Sequence, residues 1–119
     1  MQLNRIIACA TLAAAVSVMA ASQPAAAESL KIVFTHHSSV SNSFWRGVRT
    51  GFDQACEDYN ADCQMLFTNT EGSIPDQINN IRTAIARQAD AIVTAIANDE
   101  AICPVIKEAS ERGIIVLAS

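Results

Sequence analysis

Two patterns of hydrophobic and polar positions alternate along the chain from residue 30 onward. Short apolar runs, rich in β-branched residues, read LKIVFT (30–35), CQMLFT (63–68), DAIVTAI (90–96) and IIVLAS (114–119). Continuous runs of this length are typical of strands that are buried on both faces of a sheet. They predict four β-strands, which three longer segments with a different pattern separate.

The segment at residues 44–60 carries its apolar residues at helical spacing. These residues recur every three or four positions: Phe44, Val48, Phe52, Ala55 and Tyr59. Because this spacing places them on one side of a helix, the segment predicts an amphipathic helix. We expect the five residues to form its buried stripe.

The other two segments carry helix start and stop signals. Ser73 followed by Asp76 resembles a capping box at the start of SIPDQINNIRTAIARQ. In DEAICPVIKEASERG, Asp99 lies in the first turn, where the helix dipole favours anions, and Gly113 is the expected residue after the helix end. Cys103 lies on the apolar face of this third helix, and we expect a buried thiol there.

The predicted order of elements is β-α-β-α-β-α-β. Such alternation predicts a doubly wound parallel sheet with helices on both faces and right-handed crossovers. We expect the strand order 2-1-3-4, with a switch point between the first and third strands. Ligands bind such sheets at the carboxyl ends of the strands near the switch point. The loop after the first strand and the Asn98-Asp99 segment after the third both emerge at this edge.

The N-terminal stretch predicts a secretory signal peptide. One cation, Arg5, precedes an apolar run from Ile6 to about Ala21, and the small residues 25–27 follow Pro24. This layout predicts cleavage after Ala27 and export from the cytoplasm. A transmembrane anchor is disfavoured, because the run is short and rich in alanine. We expect residues 28–119 to be a fragment of a longer protein, since no helix follows the last predicted strand.

Charge and cysteines narrow the class of protein. The formal net charge is −4 and no basic patch is present, which argues against nucleic acid as a partner. Export permits disulfides, and Cys56 and Cys63 bracket a predicted helix-to-strand turn, so we favour a bridge between them. The alternative is two small hydrophobic residues that do not pair. No Cys-x-x-Cys or His-x-x-x-His spacing is present, so we expect no metal site.

The residues at strand ends favour ligand binding over catalysis. No glycine-rich phosphate loop or G-x-S-x-G motif follows a strand, and we expect no catalytic residue and no cofactor. HHSSVSNSFW (36–45) instead combines imidazole, hydroxyl, amide and aromatic groups, which suit the hydroxyls and the C–H face of a sugar. The candidate ligand-binding residues are His36, Ser41, Asn42, Phe44, Trp45, Asn98 and Asp99.

Each candidate has a structural alternative. Phe44 lies on the predicted helix stripe and could belong to the core. Asn42 could be only a helix N-cap. His36 could be a packed strand residue, and Ser41 a plain loop residue. Trp45 lies one position off the stripe, where a large aromatic residue favours ligand contact.

Four segments together resemble a known family. KIVFT is followed by a polar loop ending in NSFW, similar to the family's Asn-Pro-Phe-Phe, and then by FWRGVRTGFDQAC. DQINNIRTAIARQADAIVTA and VIKEASERGIIVLAS match the next helices and strands. The chain resembles the type I periplasmic sugar-binding proteins of the ribose/galactose cluster, the substrate-binding components of ABC transporters. The resemblance covers residues 31–119 and the N-terminal part of such a protein.

The resemblance implies a function and a site. Proteins of this family bind a monosaccharide between two hinged lobes, deliver it to a membrane permease and are not enzymes, and we expect a monomer. The family's sugar contacts carry over to Asn42, Phe44 and Trp45. Ser43 replaces the usual proline, and the HHSSVS loop is longer than in ribose-binding proteins. The alternatives are an exported sensor domain with the same fold, a repressor, which the export signal disfavours, and an exported enzyme.

Overall fold

The computed structural model describes residues 28–118. Seven elements alternate along it: β1 (Lys31–Ser39), α1 (Ser43–Asp58), β2 (Asp62–Thr68), α2 (Ile74–Ala86), β3 (Ala91–Thr94), α3 (Asp99–Glu111) and β4 (Ile115–Ala118). The predicted signal peptide, residues 1–27, lies outside the described residues. Among residues 28–118, no helix is long and apolar enough to cross a membrane.

The four strands form one parallel sheet in the order β2-β1-β3-β4, which confirms the predicted topology. β1 is paired on both sides: Phe34 lies opposite Met65 of β2 and opposite Val93 of β3. The chain places β2 on one side of β1, and it then places β3 and β4 on the other side. The switch point between β1 and β3 is therefore where the sequence predicted it. His36 lies in the last part of β1, and the other candidate residues follow β1 or β3.

The main core lies between one face of the sheet and helices α2 and α3. Ile81 of α2, Ile92 of β3 and Ile102 of α3 are fully buried there, together with Val33 of β1. The polar side chain of Gln77 is also buried, at the edge of this core. Its Nε2 donates to the Ala95 carbonyl at 2.5 Å and to the Thr94 hydroxyl at 3.2 Å, so it fastens α2 to the carboxyl end of β3.

Helix α1 covers the other face of the sheet, but its predicted stripe is wrong in part. Phe44 and Tyr59 are 68% and 85% exposed, and Ala55 is exposed as well. The residues that α1 turns inward are Trp45, Val48, Phe52 and Cys56. The cause is the position of α1 over β1 and β2. The ring of Phe34 contacts the rings of Trp45 and Phe52 edge to face, with ring centroids 5.9 and 5.6 Å apart.

Two further expectations need correction. β1 does not end at Thr35 but runs to Ser39, so the histidines belong to the strand. A bulge permits this: Thr35 pairs with Leu66, and the next paired residue, Ser39, lies opposite Thr68. Cys103 is exposed and not buried, because α3 turns Ile102 inward and the next residue points away from the core. Gly113 has φ +82° after the end of α3, as expected for a residue that ends a helix.

Cys56 and Cys63 form a disulfide in the structure, as the sequence favoured. Their sulfur atoms are 2.06 Å apart and their Cα atoms 6.1 Å apart. The bond joins the last turn of α1 to the start of β2 across a separation of seven residues. It therefore fixes the C-terminal end of α1 to the sheet, at the start of β2.

We predict that removing this bridge destabilises the protein. Closing so short a loop reduces the entropy of the unfolded chain, which stabilises the fold by about 2.5 kcal/mol. The double variant Cys56→Ala, Cys63→Ala should lose about that free energy of unfolding in urea, whereas Cys103→Ser should change it by less than about 0.5 kcal/mol. Three reactive thiols in exported, non-reduced protein would contradict the bridge.

Candidate functional site

The connections after β1 and β2 meet at the carboxyl edge of the sheet. β1 ends at Ser39, and the residues that follow lead into α1. The connection after β2 is attached to β1 by its backbone, because the Gly72 N–H donates to the His37 carbonyl at 2.7 Å. Parallel neighbours place both connections at one edge. The candidates of residues 36–45 therefore lie beside residues 69–73, none of which the sequence marked as a residue of the ligand site.

Asn42 caps helix α1, as the structural alternative suggested. Its Oδ1 accepts from the backbone N–H of Phe44 at 3.1 Å and of Trp45 at 3.4 Å. Its Nδ2 donates to Oε1 of Glu71 at 3.0 Å. The amide thus satisfies part of the helix N-terminus and is also tied to the neighbouring connection.

Glu71 also belongs to this site, although no pattern in the sequence marks it. Its Oε2 accepts from the Ser39 backbone N–H at 2.9 Å and from the Ser39 hydroxyl at 3.3 Å. The Ser39 hydroxyl in turn pairs with the Ser41 hydroxyl at 2.7 Å. These donors stabilise the charged form: the hydrogen bond from the Ser39 backbone, followed by that from Asn42, lowers the pKa of Glu71 to about 2. The carboxylate is therefore ionised at neutral pH.

An aromatic cluster lies next to this polar network. The His36 imidazole is stacked on the Trp45 indole, with ring centroids 4.3 Å apart and an angle of 4° between the planes. The Phe67 ring meets His36 edge-on at 4.7 Å. Phe44 meets Trp45 edge-on at 5.2 Å and is mostly exposed, so it is not the core residue that its position on the predicted stripe suggested. Trp45 itself is half-buried.

His36 is fully buried, unlike a typical loop residue. Its Nδ1 accepts from the Ser38 backbone N–H at 3.1 Å, so the proton of the neutral ring lies on Nε2. That Nε2 has no hydrogen-bond partner among residues 28–118. Burial lowers the pKa of His36 to about 4, helped by the charge of His37 and opposed by that of Glu71. At neutral pH the ring under Trp45 is uncharged.

Asn98 and Asp99 follow the neighbouring strand, β3. Asn98 caps α3, since its Oδ1 accepts from the Ala101 N–H at 2.8 Å. Asp99 is exposed in the first turn of that helix. β1 and β3 are paired in register, Thr35 opposite Thr94, so both residues emerge at the same edge as the network around Glu71. The hydrogen bond of Asn98 stays within its own helix start.

The edge offers amide and hydroxyl donors, a carboxylate and aromatic rings, which suits a neutral polar ligand. Within residues 28–118, no group of three His, Cys, Asp or Glu could hold a metal ion. An apolar cavity of about 530 Å³ lies elsewhere, against β3 and β4, lined by Phe52, Tyr59, Val93 and Leu117 among others. We assign the candidate site to the strand ends because the polar groups converge there.

Comparison with known proteins identifies the family. The family described as periplasmic binding protein domain matches residues 32–118, so the chain belongs to it. The ABC transporter periplasmic-binding protein YphF of Escherichia coli (strain K12) is 31% identical over 74 residues, which are 62% of this chain and 23% of that protein. The chain thus spans about a quarter of that relative.

Solved structures agree with this assignment. A periplasmic sugar-binding protein of an ABC sugar transporter from Legionella pneumophila superimposes with a TM-score of 0.70 at 27% identity, over 74% of this chain and 32% of that chain. A periplasmic solute-binding protein of an ABC transporter from Actinobacillus succinogenes 130z, with bound D-allose, gives 0.68 at 21% identity, over 73% and 30%. The resemblance found in the sequence and the fold it implied are confirmed.

We predict that protonation of His36 changes the fluorescence of Trp45. An imidazolium stacked on an indole quenches it, so the emission should fall in a step centred near pH 4. The unfolded chain takes up this proton near pH 6.5, and the folded chain only near pH 4. The free energy of unfolding should therefore decrease as the pH falls through this window.

The variant His36→Phe keeps a ring under Trp45 but does not titrate, and its emission should show no step. His37→Gln should keep the step and move its midpoint upward, because the charge of His37 opposes the protonation of His36. The same step in His36→Phe, or a wild-type midpoint near pH 6.5, would contradict the assignment.

Proposed function

We propose that the chain belongs to the substrate-binding component of a sugar ABC transporter and contains part of its N-terminal lobe. It binds a monosaccharide in the cleft between two lobes and delivers it to the membrane permease. Membership of the periplasmic binding protein domain family supports this, as do the likeness to YphF and to the sugar-binding protein of L. pneumophila. Residues 1–27 are its signal peptide, cleaved after Ala27, and residues 28–119 belong to the lobe.

The observation that carries the proposal is the pairing of an aromatic platform with a polar network at one strand end. Trp45 is half-buried and held flat against His36. Asn42, three residues earlier, belongs to the hydrogen-bonded network around Glu71. A sugar needs both surfaces, because its C–H face packs on an aromatic ring while its hydroxyls require donors and acceptors. An apolar core would not favour the polar groups of this combination, and a solvent-exposed loop would not favour its aromatic rings.

We assign the candidates distinct roles. Trp45 and Phe44 provide the apolar surfaces for the sugar ring, and Asn42 and Ser41 bind its oxygens. His36 is buried under Trp45, and we infer that it acts mainly by holding that ring.

Asn98 and Asp99, at the end of β3, approach the same ligand from the neighbouring strand. Catalysis and a cofactor have no part in this function. We expect a periplasmic monomer with no nucleic-acid partner.

Calorimetric titration of the protein expressed from its entire reading frame tests this function. A panel of pentoses and hexoses should contain one sugar that binds saturably. Its affinity should fall about tenfold or more in Trp45→Ala and in Asn42→Ala, which corresponds to at least about 1.4 kcal/mol. Tyr59→Ala is the matched control, because Tyr59 is an exposed aromatic residue at the other end of the same helix.

The possible failures are distinct. Binding of one sugar with unchanged affinity in both Trp45→Ala and Asn42→Ala would show that the site lies elsewhere. Absence of binding by every sugar in the panel would contradict the sugar-binding function itself.

A further inference from the structure

We propose that Glu71 is a positioning residue of the ligand site, which holds the connection between β1 and α1 so that Asn42 acts toward the ligand only as a hydrogen-bond donor. The consequence for binding rests on the proposed function. The positioning itself rests on contacts within residues 28–118 and is testable without a ligand.

The Glu71 carboxylate holds both ends of the connection from Ser39 to Asn42. One oxygen accepts from the backbone and hydroxyl of Ser39, at 2.9 and 3.3 Å, and the other accepts from Asn42 Nδ2 at 3.0 Å. Within the connection, the Asn42 N–H donates to the Ser39 carbonyl at 3.1 Å, which closes a turn. Because the two ends share one carboxylate, the turn cannot move away from β2 without breaking these hydrogen bonds.

Glu71 is itself fixed by its neighbours. The next residue, Gly72, donates its N–H to the His37 carbonyl at 2.7 Å. Gly72 has φ +76°, a conformation that glycine adopts readily. On the other side, the Thr68 hydroxyl donates to the Thr70 carbonyl at 2.7 Å. The carboxylate is therefore presented from a connection that is attached to the sheet at both ends.

This arrangement determines which atoms Asn42 offers. Its Oδ1 has two lone pairs, and both accept from backbone groups, the N–H of Phe44 and the N–H of Trp45. Its Nδ2 has two N–H groups, and one of them donates to Glu71. One N–H donor is left for a ligand and no acceptor. Asn42 is thereby matched to an oxygen with a free lone pair, such as a sugar hydroxyl or ring oxygen.

An exchange of donor and acceptor tests the positioning. In Glu71→Gln, only one atom of the new amide can accept, so the hydrogen bonds to Ser39 and Asn42 cannot both persist. In Asn42→Asp, two carboxylates face each other and repel, although Asp still caps the helix. In the double variant, the Gln amide can donate to the Asp carboxylate, so the link between the two connections should form again.

The first measurement is hydrogen exchange of the Ser39 amide, followed by NMR in the protein expressed from its entire reading frame. Exchange should accelerate about tenfold or more in Glu71→Gln and in Asn42→Asp, and part of this loss of protection should be reversed in the double variant. Glu111→Gln, an exposed carboxylate in α3, is the matched control and should leave Ser39 unchanged. Unchanged exchange in Glu71→Gln would overturn the positioning role, whether or not any sugar binds.

The second measurement is the affinity for the sugar that the wild type binds. Glu71→Gln should weaken it about tenfold. The double variant should bind as weakly as Asn42→Asp even though its connection is ordered again, because the donor of Asn42 is lost. Unchanged affinity in Glu71→Gln, together with accelerated exchange, would overturn the role of positioning in binding. Failure of the wild type to bind any sugar would count against the proposed function alone, and the exchange data would still decide on Glu71.

Discussion

The central place of β1 in the sheet is the constraint on which the rest of the structure depends. β1 is hydrogen-bonded to β2 on one side and to β3 on the other, and all these pairs are parallel. Parallel strands end at the same edge, so the polar residues after each of them meet there. The network around Glu71 exists because β2 lies beside β1, although Glu71 and Ser39 are 32 residues apart in the chain.

The bulge in β1 gives this edge its chemistry. Between Thr35 and Ser39 the strand contains more residues than its partner β2 uses for pairing. His36 is thereby buried within an aromatic cluster, while Ser39 still reaches the second connection. A stacked aromatic surface and a hydrogen-bonded network thus arise side by side from one irregular strand end. Groups that contacts within a protein already hold in place lose less conformational entropy on binding a ligand than groups on a mobile loop do.

The sequence predicted the sheet but only part of the site. Continuous apolar runs such as IVFT and AIVT indicate buried parallel strands, and their alternation with helices determines the strand order. Asn42 was found because NSFW resembles the family's Asn-Pro-Phe-Phe, and its second role was foreseen because a polar residue before a helix is a recognisable cap. Glu71 was missed because its contacts depend on strand neighbours, and no local pattern marks a carboxylate in an exposed connection. The only signal for Glu71 in the sequence was the predicted strand order, which places the connection after β2 next to the end of β1.

The rotation of α1 shows a second limit. Phe44 and Trp45 are adjacent aromatic residues, and either could belong to an apolar stripe. The helix turns Trp45 inward because Phe34 and the Cys56–Cys63 bond lie on that side, and both are tertiary contacts. Likewise, polar residues such as His36 give no local pattern from which the continuation of β1 could be predicted. Periodicity thus located the helix but did not determine which of two neighbouring rings faces the sheet.

The central claim is that this strand end is one wall of a sugar site. A crystal structure of the protein expressed from its entire reading frame, with a bound pentose or hexose, tests it most directly. The sugar ring should lie against Trp45, and Asn42 Nδ2 should donate to one of the sugar's oxygens. A sugar bound in a cleft with no contact to residues 36–45 would contradict it.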